Sequence, residues 1–138
     1  MSNEPAKKEF TLQVRVYYED TDAGGVVYHS HYLNFMERAR TEWLRHIGIE
    51  QNALIEQDKI LFAVRKVNID FHKPALFNEL LNIKTQIIHT RRASLVFEQI
   101  IFNQSKEPIC KAEIKIACLN SNTMKPEPIP ENILLELN

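Results

Sequence analysis

Residues 17–29 read Tyr-Tyr-Glu-Asp-Thr-Asp-Ala-Gly-Gly-Val-Val-Tyr-His and join an alternating strand to a long amphipathic helix. Two of the chain's three glycines stand side by side here, Gly24 and Gly25. Because glycine tolerates positive φ and lets backbone or ligand approach closely, the pair predicts a tight turn with an unusual role. The turn carries the carboxylate of Asp22 and leads into a helix start near His29, where unpaired N–H groups and the positive end of the helix dipole collect. A carboxylate that faces such a helix start can attack a polarised carbonyl group.

The residues on either side of this stretch have clear periodicities. Residues 9–19 alternate, with Phe10, Leu12, Val14 and Val16 on one face, which predicts a half-buried strand. A helix is predicted over about residues 30–47, because its apolar residues recur at spacings of three and four: Tyr32, Phe35, Met36, Ala39, Trp43, Leu44 and Ile47. Gly48 stands in the usual position for a glycine after the last helical turn.

Four more strands are predicted after a short helix at 50–58, namely 60–72, 80–89, 94–102 and 109–119. The first of them changes phase near Arg65, which indicates a bulge. Their short connections imply antiparallel neighbours. The expected fold class is therefore α+β, with a five-stranded antiparallel sheet covered by one long helix. We predict one domain over 1–138, with a core at about 9–125 and an extended C-terminal tail at 126–138, in which Pro130 opens a short helix.

Bulk composition excludes several classes of protein. The 138 residues are 44% hydrophobic and 25% charged, as in globular domains, and the formal net charge of −1 argues against a nucleic-acid partner. No apolar run approaches the ~18 residues of a membrane span, and no apolar signal region follows the N-terminal lysines. Cys110 and Cys118 lie in one predicted strand, roughly 26 Å apart, so they cannot pair within a subunit. We expect a cytoplasmic protein.

The expected sheet also bears on assembly. A five-stranded sheet covered by one helix has edge strands and an uncovered face, and proteins rarely leave long edges bare. We therefore expect a homo-oligomer, either a dimer or a tetramer, in which sheets join or stack.

The chain resembles the hot-dog-fold acyl-CoA thioesterases in three segments, Tyr18-Glu19-Asp20-Thr21-Asp22, Gly25-Val26-Val27-Tyr28-His29 and Glu37-Arg38-Ala39-Arg40-Thr41-Glu42. The likeness is greatest to the Tol–Pal-associated, YbgC-type branch, which is related to 4-hydroxybenzoyl-CoA thioesterase. It runs from about residue 10 to Pro126 and so covers nearly the whole chain. The fold that it implies, an antiparallel sheet wrapped around one helix, agrees with the one expected from periodicity.

The resemblance implies roles for particular residues. Asp22 matches the catalytic carboxylate, and His29 matches the residue whose backbone N–H binds the thioester carbonyl oxygen. In such proteins the site lies between two subunits and coenzyme A lies along the surface. The candidate substrate contacts are Tyr18, Gly25, Val27, Tyr28, Arg91 and Arg92, the two arginines as a fork for coenzyme A phosphates.

The expected reaction turns an acyl-CoA and water into a carboxylic acid and coenzyme A, without a metal or redox cofactor. Asp22 acts either as nucleophile or as general base, and the pattern leaves both open. Acyl carrier protein is a second possible carrier of the acyl group. The alternatives are a hot-dog dehydratase or hydratase led by the His29 ring, and a non-catalytic adaptor for acyl carrier protein or envelope-associated machinery.

Other polar residues near the turn receive structural interpretations. Glu19 and Asp20 are expected to be solvated or to stabilise the turn. His29 and His31 do not predict a metal site, because residues two apart at a helix start point to different faces and no third ligand follows. The group Arg38, Arg40, Glu42 and Arg45 is expected to form a solvated helix surface with ion pairs.

Overall fold

In this computed structural model the described residues are 8–138, so most of the N-terminal lysine segment considered above lies outside them. A 3₁₀ turn, Tyr18–Asp20, follows the first strand. The other elements are, in chain order, β1 (Glu9–Arg15), α1 (His29–His46), α2 (Gln51–Asp58), β2 (Ile60–Phe71), β3 (Leu80–Arg91), β4 (Ser94–Phe102), β5 (Pro108–Asn120) and α3 (Glu131–Leu137).

The five strands form one antiparallel sheet in the order β1-β3-β4-β5-β2. The predicted five-stranded antiparallel sheet and its single long helix are confirmed. The predicted bulge is also confirmed, because the register between β2 and β5 shifts between Val64 and Lys66. The predicted alternation of β1 is confirmed, because Phe10, Leu12 and Val14 are partly buried while the residues between them are exposed.

The prediction that β2 and β3 are neighbours is wrong. β2 pairs with β5 at one edge of the sheet, whereas β3 lies between β1 and β4. Residues 72–79 are a crossing connection rather than a hairpin turn. At its start, the His72 N–H donates to Ile109 O at 2.8 Å. At its end, the Val16 N–H donates to Glu79 O and the Asn78 N–H donates to Val16 O, both at 2.9 Å.

The sheet wraps around α1, whose apolar stripe is buried. The Trp43 ring stacks on Phe10 of β1 at 6.3 Å and meets Phe97 of β4 at 6.1 Å between ring centroids. Near the other end of the helix, the Tyr32 ring lies 5.7 Å from Phe71 of β2. One helix therefore contacts both edges and the centre of the sheet. Each large side chain buried in this way stabilises the fold by about 1.5–3 kcal/mol.

The expected solvated group on α1 requires one correction. Arg45 is exposed and pairs with Glu42 and Glu50, but Arg40 is only 9% exposed. The Arg40 guanidinium donates to Gln99 Oε1 at 2.8 Å, across the helix–sheet interface. The Gln99 side-chain amide donates in turn to Met36 O and Thr85 Oγ1, both at 2.9 Å. The position faces the sheet because it lies four residues from both Met36 and Leu44, on the buried face of α1.

The tail and the cysteines belong to the core. The predicted terminal helix is present as α3, which follows Pro130 and buries Ile133 and Leu137 against the core. Cys110 and Cys118 are free and buried, which confirms that they do not pair with each other. Burial raises the pKa of Cys110 to about 12 and that of Cys118 to about 11. Within residues 8–138, the helices are too short or too polar to cross a membrane.

Candidate active site

The acidic-glycine turn, residues 21–27, is closed by backbone hydrogen bonds. Thr21 and Val27 form an antiparallel bridge. Inside it, the Asp22 N–H donates to Val26 O at 2.9 Å, and the Gly25 N–H donates to Asp22 O at 3.0 Å. These bonds fold the turn back, so that Asp22 lies beside the segment that enters α1.

Each of the two glycines meets a separate steric demand. Gly25 has φ +80°, a conformation that other residues adopt at a cost of about 1–2 kcal/mol. A Cβ on Gly24 would lie 3.2 Å from Asp22 Oδ1, the oxygen that accepts the Gly24 N–H at 2.8 Å. The turn thus holds one oxygen of an exposed carboxylate. Its Oδ2 has no hydrogen-bond partner among residues 8–138.

The start of α1 leaves backbone donors open. The Tyr28 N–H donates to Asp20 O, and the His31 N–H to Tyr28 O, both at 2.9 Å. No side chain caps the helix and no acidic residue lies in its first turn. Among the described residues, no acceptor takes the N–H of His29 or of Ser30. Two amide donors at the positive end of the helix dipole are therefore free to bind a carbonyl oxygen.

A buried carboxylate ties the turn to the helix. Asp20, 5% exposed, accepts the Tyr17 N–H at Oδ2 (2.8 Å), and its Oδ1 lies 3.1 Å from His31 Nδ1. The expected turn-stabilising role for Asp20 fits these contacts.

The crossing connection, residues 72–79, forms a wall of the site. The Val27 N–H donates to Ala75 O at 2.9 Å, and the Ala75 N–H donates to the buried Tyr32 hydroxyl at 3.0 Å. Beyond Ala75 the side chains of Leu76 and Phe77 are exposed. The Phe77 ring meets the Tyr18 ring edge-on at 5.8 Å. The connection therefore places apolar surface next to the acidic-glycine turn.

Residues 16–137 match the model of the thioesterase-like superfamily. The chain belongs to this superfamily. It is 46% identical over 127 residues to the acyl-CoA thioester hydrolase YbgC of Escherichia coli, covering 92% of this chain and 94% of the relative.

Solved structures of thioesterases share the fold. A probable thioesterase from Bartonella henselae is 39% identical, with a TM-score of 0.84, covering 89% of this chain and all of that one. A 4-hydroxybenzoyl CoA thioesterase variant in complex with 4-hydroxybenzoyl CoA has a TM-score of 0.85 at 17% identity, covering 94% and 99% of the two chains. The expected hot-dog fold and the resemblance to this family are both confirmed.

The residues predicted for the site do not all lie together in this thioesterase-like chain. Asp22, Gly25 and His29 share the turn and helix start, with Tyr18 and Tyr28 exposed beside them at 81% and 47%. Val27 is instead 4% exposed and packs in the core, with its N–H used by Ala75. Arg91 and Arg92 lie apart from this group, exposed where β3 turns into β4.

Two features of the site region were not predicted. The Asp20–His31 contact was missed, although a carboxylate and a histidine that flank a closed turn are a usable signal. The burial of Arg40 was missed because its partner, Gln99, is distant in the sequence. Within residues 8–138, no group of three or more His, Cys, Asp or Glu side chains is arranged to hold a metal ion.

Proposed function

We propose that this chain hydrolyses acyl-CoA thioesters, converting an acyl-CoA and water into a carboxylic acid and coenzyme A. The observation that carries the proposal is the pairing of the exposed Asp22 carboxylate with the open N–H groups of His29 and Ser30. The superfamily and the name of the Escherichia coli relative favour thioester hydrolysis over the hydratase and adaptor alternatives.

The chemistry needs few groups. The carbonyl oxygen of the thioester accepts the free N–H of His29, which stabilises the charge that develops on that oxygen; losing one such donor typically costs about 2.7–4 kcal/mol. Asp22 Oδ2 then attacks the carbonyl carbon, the C–S bond breaks, the thiolate leaves and takes up a proton, and water cleaves the resulting anhydride. In the alternative route, Asp22 accepts a proton from a water that attacks the same carbon, and the thiolate leaves as before.

Exposed side chains suggest where the rest of the substrate binds. The acyl group lies against the aromatic and aliphatic surface beside the turn, formed by Tyr18, Tyr28, Leu76 and Phe77. The phosphates of coenzyme A contact Arg91 and Arg92, since guanidinium forks suit phosphate groups. In this proposal the thioester binds at the turn and the nucleotide at the β3–β4 hairpin.

The assembly is proposed to be a homo-oligomer that joins at β2. This strand lies at the edge of the sheet and exposes Val64 and Phe71 by 53% and 52%. A long apolar edge is a surface that proteins usually cover. The two free, buried cysteines suit a reducing compartment, and we place the protein in the cytoplasm on that ground.

The test is thiol release from a panel of acyl-CoAs of increasing chain length, with the same acyl groups on acyl carrier protein as a second series. We expect turnover with at least one substrate and a loss of about 10²–10⁴-fold in kcat for Asp22→Asn. The matched control is Glu19→Gln, which neutralises a neighbouring exposed carboxylate and is expected to keep wild-type activity. Absence of turnover across both series, or an active Asp22→Asn variant, would reject the proposal.

A further inference from the structure

A cavity of about 110 Å³ lies between the second half of α1, α2 and the inner face of the sheet. Arg40 on its wall is eleven residues beyond His29, hence roughly 16 Å along the helix from the acidic-glycine turn. The wall is mostly apolar: Leu44, Phe62, Val64, Leu95, Phe97, Ile116 and Leu137. Four polar side chains complete it: Glu37, Arg40, Thr41 and Gln51.

Arg40 has unused hydrogen-bonding capacity toward this cavity. A guanidinium has five N–H donors, and within residues 8–138 this one makes a single side-chain hydrogen bond, to Gln99. In the same range no buried side-chain nitrogen or oxygen lacks a partner. The guanidinium nitrogens that have none are therefore not fully buried, and Arg40 is one of the residues that line the cavity.

The charge on Arg40 also lacks a counter-ion among the described residues. Burial lowers its pKa to about 10, so the guanidinium is still charged at neutral pH. Glu37 raises that pKa slightly, but it forms no ion pair with Arg40 in this part of the chain. Its exposed carboxylate accepts the Thr41 hydroxyl at 3.4 Å instead. A buried cation beside an apolar cavity favours an anionic ligand with a hydrocarbon part.

We propose that this cavity binds a short-chain carboxylate anion, with its carboxylate on the Arg40 guanidinium and its alkyl group against Leu44 and Phe97. Carboxylate geometry matches the guanidinium fork. The volume is smaller than the ~150 Å³ engineered cavity that holds benzene, which limits the enclosed part to about four or five carbon atoms. The site is separate from Asp22, and the proposal does not rest on the proposed hydrolysis.

The first experiment uses the wild-type chain and a series of ligands of equal length. Sodium butanoate is titrated by calorimetry and by the fluorescence of Trp43, the only tryptophan, whose ring lies 6.1 Å from Phe97 on the cavity wall. We expect saturable binding with a Kd on the order of 1 mM. 1-Butanol and butylammonium, which lack the negative charge, are expected to bind at least about tenfold more weakly. Equal binding of the three ligands, or no saturable binding of butanoate, overturns the proposal.

The second experiment removes the charge from the wall. Arg40→Met keeps an unbranched side chain but removes the guanidinium donors and the positive charge, so it is expected to weaken butanoate binding at least about tenfold. Arg38→Met, on the exposed face of the same helix, is the matched control and is expected to bind as the wild type does. Unchanged binding by a folded Arg40→Met variant overturns the proposal. If that variant does not fold, the ligand series decides alone.

A third variant separates this site from the proposed hydrolysis. Asp22→Asn leaves the cavity intact and is expected to bind butanoate with wild-type affinity, whatever its effect on thiol release. Loss of binding in Asp22→Asn would place the carboxylate at the turn and overturn the assignment to Arg40.

Discussion

Two aspartates two positions apart have opposite environments in this chain. Asp20 is buried, and both of its oxygens have partners, the Tyr17 N–H and the His31 ring. Asp22 is exposed and has one oxygen held by Gly24. A carboxylate whose acceptors are occupied stabilises the fold, whereas one with a free oxygen is available to a substrate. This is a division between a carboxylate that is fully bonded within the fold, Asp20, and one that keeps an oxygen without a partner among residues 8–138, Asp22.

This division predicts different costs for the two alanine variants. Asp20→Ala leaves the Tyr17 N–H without its partner, so we expect the free energy of unfolding to fall by about 1–3 kcal/mol. Asp22→Ala removes an exposed side chain, and we expect a change within about 0.5–1 kcal/mol. Urea denaturation followed by circular dichroism measures both. Equal losses for the two variants would contradict the assignment.

Single residues also mark the limit of what could be predicted from the sequence. The acidic-glycine turn was predictable, because positive φ at Gly25 and close approach at Gly24 are demands that glycine alone meets cheaply. The burial of Arg40 was not, because an arginine beside an apolar stripe is read as exposed unless its distant partner is known. Val27 was predicted to contact the substrate because it lies inside the motif, but its side chain is buried in the core.

At the scale of elements, local periodicity predicted more than connectivity. The boundaries of α1 were predicted within one residue at each end, because its eighteen residues repeat an apolar stripe and Gly48, at φ +90°, follows the last turn. The pairing of β2 with β5 was missed, because a short connection can either reverse the chain or cross the end of a sheet. Hydrogen bonds from residues 72–79 to Val16, directly after β1, and to Ile109 of β5, which periodicity does not encode, decide between the two.

The β3–β4 hairpin carries a prediction about the nucleotide part of the substrate. The double variant Arg91→Gln/Arg92→Gln is expected to raise KM for acyl-CoA about three- to tenfold with little change in kcat, because exposed phosphate contacts are modest in strength. KM for the matching acyl-pantetheine, which lacks the nucleotide phosphates, is expected to stay unchanged. The control is Lys106→Gln in the β4–β5 turn. An equal rise in KM for both substrates would contradict a contact between these arginines and the nucleotide phosphates.

For the whole molecule, the exposed β2 edge predicts the state of assembly. Light scattering is expected to give a mass that is a multiple of the 16.1 kDa chain. Val67→Lys places a charge on this edge and is expected to shift the mass toward a single chain, because edge lysines oppose strand pairing. Thr11→Lys on β1, at the other edge, is the control and is expected to leave the mass unchanged. A monomeric wild type would exclude the proposed oligomer.

The buried thiols predict how global stability depends on pH. In the unfolded chain they ionise near their ordinary pKa of 9.0, whereas burial raises the pKa of Cys110 to about 12 and that of Cys118 to about 11. Between these values the unfolded state binds fewer protons than the folded one, so stability falls as the pH rises. We expect the urea midpoint to drop above about pH 9, and to drop less in Cys110→Ala/Cys118→Ala. If the urea midpoint falls equally with pH in the wild type and in the double variant, the buried thiols are not the cause.

The position of β2 beside the last strand has a consequence during synthesis. Ile60 pairs with Asn120, so β2 leaves the ribosome long before the segment that completes its ladder. β1, β3 and β4 can pair earlier, while the backbone of β2 remains without its partner strand, β5. Unpaired strands of this kind are prone to aggregate. The hazard for a nascent chain therefore lies between translation of β2 and of β5, and a ribosome that pauses in that interval prolongs it.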